Sequence, residues 1–215
     1  MSSPTTPRSP LWRRPFLVVR EDGRAWLIIS ATTYGLLALG FVIGVLFPAL
    51  PAARATTLEG DGTGDLVTAV ASSAPLFALV IFAVNVLRLS LVTIVVPSLI
   101  VPFAGLVLFA YWLVETGITL VQTTPVGWVA MIPHSLTVLI ELQAYALLAL
   151  GVFLLGRDWL RPTRVGAPTR RAAYLGALRR LGILSLPALV LLVVGAVWEA
   201  YSLRYLVFPL SEVLL

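Results

Sequence analysis

At 215 residues, 59% hydrophobic and only 12% charged, with a mean hydropathy of +0.98, the chain has too little polar surface to wrap a soluble core. Its net charge of +5 comes from fifteen arginines and no lysine, and these flank long apolar runs, which points to anionic lipid headgroups and away from nucleic acid. The lack of cysteine excludes disulfides, thiol catalysis and thiolate metal sites, and one histidine leaves little for a zinc or haem centre, so no cofactor and no metal are expected.

Residues 1–24 form a Ser/Thr/Pro-rich tail that turns basic at Arg8, Arg13, Arg14, Arg20 and Arg24, with Trp12 and Phe16 suited to the headgroup level. From 25 to 210 the chain reads as one all-α transmembrane domain with five spans. The first, about 26–47, is longer than a signal-peptide core and ends in FPALP rather than in a cleavage site, so it is expected to be retained. Its Gly40 and Gly44 form a GxxxG, which lets a second backbone come close, either in a homodimer or inside the bundle. An outer loop, 49–74, sets Arg54 against Glu59, Asp61 and Asp65. EGDGTGD has oxygens enough for a cation but lacks calcium-loop spacing, so a solvated turn is expected, with Asp65 capping a short helix.

The second span, 75–97, carries Asn85 and Arg88, and the third, 98–121, carries Glu115. Pro97 and Pro102 mark a tight reversal between them. The fourth, 126–156, holds His134, Glu141 and Tyr145. A basic loop, 157–180, follows, and its part from Thr169 to Leu181 reads as an interfacial helix with Arg170, Arg171, Arg179 and Arg180 facing lipid headgroups, as Arg13 and Arg14 do in the tail. The fifth, 182–203, ends near Glu199. Twelve of the fifteen arginines fall in the tail and the 157–180 loop. The positive-inside rule puts both in the cytoplasm and, with five crossings, puts the C-terminus outside, in a multi-pass protein of the cell membrane.

Ionisable groups inside apolar spans are costly and mark candidate functional sites. The rise per residue puts Arg88 roughly 20 Å and Glu141 roughly 22 Å below the outer surface, as candidate partners. His134, Glu199 and Glu115 fall at roughly 9–12 Å, as a second, outer cluster. Asn85 and Arg88 are three apart and His134 and Glu141 seven apart, so each pair shares a helix face. Tyr145, four residues after Glu141, is placed to hydrogen-bond its carboxylate. Such groups either fix helix packing or exchange protons, since a histidine and buried carboxyls titrate within reach of neutral pH.

The order of NVLR at 85–88, PHSLTVLIELQAY at 133–145 and VWEAY at 197–201 resembles the stage II sporulation protein M family over roughly residues 75–205. In that family the glutamate usually follows the histidine by about one turn, whereas Glu141 is seven residues on. The resemblance implies a five-helix or similar bundle and a non-enzymatic membrane scaffold or anchor of a bacterial envelope complex, as the sporulation member anchors cell-wall hydrolases. Envelope proteins and lipids are the partners it implies, with homo-oligomerisation open. The buried Arg, His and Glu residues suggest instead a transporter or proton-coupled permease subunit. An intramembrane hydrolase using Glu115, His134 and Glu141 is a third reading, without a serine elbow or HExxH to support it.

Overall fold

The structure, a computed structural model, describes residues 10–60, 69 and 72–215, with the side chains of 58–60 left aside; the expected turn at Asp61 and the cap at Asp65 lie outside the described residues. All regular structure among the described residues is helical. A short α1 (Arg14–Glu21) leads into α2 (Gly23–Leu46), and α3 (Ala49–Gly60) follows Pro48. Then come α4 (Ala74–Ile100), α5 (Ala104–Thr119), α6 (Pro125–Leu160), α7 (Arg170–Tyr205) and α8 (Val207–Leu214). The local chemistry sets the boundaries. Thr124 Oγ1 accepts the Gly127 N–H at 3.1 Å and Thr169 Oγ1 the Ala172 N–H at 3.1 Å, which start α6 and α7 with side-chain caps.

Helices α2, α4, α6 and α7 are long and apolar enough to cross a membrane; α5, at 16 residues, is shorter. The chain is thus an all-α membrane helix bundle. Two-thirds of the most apolar window of α6 is buried, against 17% in α2 and in α4 and 33% in α7, so α6 is the central helix. It pairs along its length with antiparallel α7: Gly151 meets Leu181, and Glu141 meets Gly195. Helix α5 lies parallel to α2. A Cβ on Gly40 would strike the Val114 carbonyl, and one on Gly44 would stand 2.8 Å from Val121. The GxxxG is therefore internal packing, with Gly117 answering it from the facing helix.

The reversal expected around Pro97 and Pro102 is made by residues 101–103. Helix α4 runs past Pro97 to Ile100, and Phe103 takes the left-handed conformation, φ 68°. Gly105 N–H donates to Ser98 Oγ at 3.0 Å, and a Cβ at Gly105 would strike the Ile94 carbonyl. Phe103's ring lies against Gly156 and Phe153, so packing against α6 holds it in a backbone region that a bulky residue seldom adopts.

From Asn85 to Val95, α4 is π-helical. Ser90 Oγ donates to the Asn85 carbonyl and Thr93 Oγ1 to the Arg88 carbonyl, both at 2.9 Å and both reaching five residues back. Pro97, which has no N–H to give, sits just past the end of this stretch. The expected loop over 157–180 is shorter than its sequence suggests. Helix α6 continues to Leu160, and the basic run from Thr169 becomes the first turns of α7, because once Thr169 caps it no proline interrupts the chain until Pro187.

These elements give the bundle two distinct ends. At one lie α1, the α4–α5 reversal and the α6–α7 connection, with Arg14, Arg20, Arg24, Arg161, Arg164 and Arg170; at the other lie α3, the α5–α6 connection and the end of α7. With no native cysteine to interfere, single cysteines at Thr57 and Thr169 should react with an impermeant maleimide from opposite faces of sealed vesicles. Labelling of both from one face would refute this arrangement.

Candidate functional site

Helix α6 passes through Pro133 unbroken; its His134 meets α7, Glu141 meets α4 and α7, and Tyr145 turns toward α5. Gly195 makes room for Glu141, since a Cβ there would meet Glu141 Cγ at 3.1 Å. From the π-helical stretch, Asn85 Nδ2 donates to Glu141 Oε1. One turn beyond Gly195, Glu199 Oε1 stands 3.3 Å from His134 Nδ1, an ion-pair distance at which the imidazole N–H is not aimed well enough for a hydrogen bond. Trp198 Nε1 donates to the Pro133 carbonyl at 2.9 Å and fixes α7 against α6 at this level.

Tyr145 is 1% exposed and boxed edge-on by Phe109 and Trp112. Its hydroxyl neighbours the Glu141 carboxylate without a well-formed hydrogen bond. Glu199 and His134 are both close enough to act electrostatically on Glu141. One imidazole and two carboxyls are neutral together when they hold two ionisable protons between them, so the group can trade a proton without leaving a net charge in the span. Asn85→Ala should cost about 1–3 kcal/mol by leaving a buried carboxyl oxygen without its donor. Equilibrium unfolding in micelles would measure this, and an unchanged midpoint would show that Asn85 is not holding Glu141.

The structure separates two pairings that depth alone suggested. Arg88 does not meet Glu141. It is exposed, on a face of α4 that turns toward α5, while Asn85 takes the carboxyl. Glu115 does not join His134 and Glu199, because α5 packs on the α2 side of the bundle with α3 above it, and Arg54 of α3 binds Glu115 at 3.0 Å. Arg54, Arg88, Asn85, Glu115 and Thr119 line a cavity of ≈ 250 Å³. It exists because the first half of α4 packs on α7 and comes close to neither α5 nor α6, whereas its π-helical half reaches all three.

A third polar group lies at the arginine-rich end. Asp158, wholly buried, accepts from Arg157 Nε at 2.8 Å and from Arg180, and Arg157 also binds Asp22 at the α1–α2 corner. Arg180, expected on the lipid-facing surface, thus points inward, since among the described residues it and Arg157 are the counter-charges to Asp158. Arg170, Arg171 and Arg179 are exposed, and Arg13, also exposed, stacks over the Trp12 ring at 4.6 Å. Asp158, the single acid in an arginine-rich stretch, was the sequence signal for this network. Arg54 had no such signal.

Among the described residues no group of side chains is arranged to hold a metal ion. No protein-family model matches the chain, and comparison with curated proteins and with solved structures finds no match.

Proposed function

We propose that this chain is a non-enzymatic integral membrane component that anchors or organises other envelope proteins. One observation carries this reading. Past Tyr145 the buried residues of α6 from Ala146 to Leu155 are all apolar, so along the central helix no ionisable side chain continues the polar interior until Arg157 and Asp158. A conduit needs such a continuation, whereas an anchor needs a rigid bundle with an accessible surface. In this reading α5 crosses the bilayer as a fifth span, the arginine-rich end faces the cytoplasm by the positive-inside rule, and the motif order, which resembles that of the stage II sporulation protein M family, points to a bacterial cell membrane. Affinity purification from gently solubilised membranes should return stoichiometric partners. Repeated recovery of the chain alone would sink the anchor reading.

A second reading, a proton-coupled permease subunit, is favoured by the clustering of His134, Glu141 and Glu199, with Asn85 standing between Glu141 and a polar cavity. Reconstituted vesicles loaded with a pH dye should stay silent if the chain is an anchor; a proton flux abolished by Glu141→Gln would establish the permease instead. The hydrolase reading loses ground because Glu115, one of its three groups, is engaged by Arg54.

A further inference from the structure

The cavity between α3, α4 and α5 carries more positive than negative charge. Its described charged side chains are Arg54, Arg88 and Glu115, two guanidinium groups for one carboxylate. Glu115 is committed to Arg54 Nη2 at 3.0 Å. Among the described residues, the buried Arg54 Nε has no acceptor, and no carboxylate lies within ion-pair distance of Arg88. Glu141 of α6 accepts from Asn85 Nδ2 at the back of the cavity. Arg88 lies in an apolar helix of mean hydropathy 2.5, where a permanent charge is costly unless it faces water or a counter-ion. Thr116, Thr119 and Trp112 complete a wall that offers little else to neutralise it.

We propose that this cavity is a binding site for one oxyanionic group, a phosphate or a carboxylate, held between Arg88 and the free Nε edge of Arg54. Guanidinium groups present paired N–H donors that match both kinds of oxyanion. The volume of ≈ 250 Å³ admits a headgroup-sized moiety, and the cavity opens where the first half of α4 stands away from α5. Glu115 acts against binding, because it both occupies Arg54 and repels an incoming anion. The site serves an anchor or a permease equally well.

The test uses the full chain, in nonionic detergent with inorganic phosphate or acetate at matched ionic strength, and in nanodiscs with or without phosphatidylglycerol. The expected result is saturable thermal stabilisation by at least one of these. It should weaken about tenfold or more in Arg88→Gln and in Arg54→Gln, as the loss of a charge-assisted contact requires. Glu115→Gln should bind more tightly, which keeps the proposal readable if an arginine variant fails to fold. In detergent with phosphate or acetate, Arg171→Gln, exposed at the other end, should respond as the unsubstituted chain does. An effect of free phosphate or acetate assigns the group to a soluble solute, and an effect of phosphatidylglycerol alone assigns it to a lipid. Stabilisation by none of the three, or stabilisation that Arg88→Gln and Glu115→Gln leave unchanged, would overturn it. So would binding that emerges only after Glu59, Asp61 and Asp65 are neutralised, since the occupant would then be the chain's own acidic loop.

Discussion

Asp158→Ala should destabilise the bundle by about 3–5 kcal/mol, the loss expected when one partner is removed from a buried ion pair and the remaining charge is left uncompensated. Asp158 is wholly buried, and it holds Arg157 on its own helix and Arg180 across the α6–α7 pair. Without it, two guanidinium groups face one another and, among the described residues, share only Asp22, which lies 3.9 Å from Arg180 and is also bound to Arg157. Denaturation in mixed micelles followed by circular dichroism would read the change. Arg180→Gln added to Asp158→Ala should recover part of the loss, with a coupling of about 0.5–3 kcal/mol for residues in one network. A fully additive double variant, or an Asp158→Ala protein as stable as the parent, would show that the network holds nothing together.

Gly40→Val and Gly117→Val should each cost about 1–3 kcal/mol or more, by forcing α2 and α5 apart. A Cβ at Gly40 falls on the Val114 carbonyl and one at Gly117 on the Leu37 carbonyl, so the obstruction is backbone, which no side-chain rotation relieves. Between apolar helices in lipid, close packing is the main attraction, and separation forfeits it. The control is Gly35→Ala, where nothing lies within 4 Å and the gain in helix propensity should stabilise by about 0.5–1 kcal/mol. Equal effects at Gly35 and Gly117 would mean that these helices do not meet as described.

What could be read from the sequence follows from the range of the interactions involved. Apolar runs, caps and proline positions are local, and they gave an all-α membrane bundle with the first span ending within about a residue of Leu46. Positions along a helix gave depth, and depth brought His134 to the level of Glu199, where the two do meet. Depth carries no information about azimuth. Arg88 and Glu141 share a level yet are kept apart because Asn85, three residues earlier on a π-helical stretch, reaches Glu141 first. Glu115 shares a level with His134 but belongs to a helix packed on the other side of the bundle. The π-helical stretch itself depends on which carbonyls Ser90 and Thr93 cap, a choice made only once α4 has neighbours. Arg54 reads as a loop residue facing Glu59, Asp61 and Asp65, whereas in the fold it sits on a helix above a cavity that three separate elements create, where it meets Glu115.

The two 36-residue helices have a mechanical consequence. A helix of that length is a rod of about 54 Å, and even tilted by about 20° it extends some ~51 Å along the normal, against roughly 30 Å of hydrocarbon and 40–45 Å for the whole bilayer. The excess must emerge into water as a paired stalk. At the end bearing Arg161, Arg164, Arg170 and Arg171 this stalk is cationic, a positively charged surface that stands clear of the hydrocarbon.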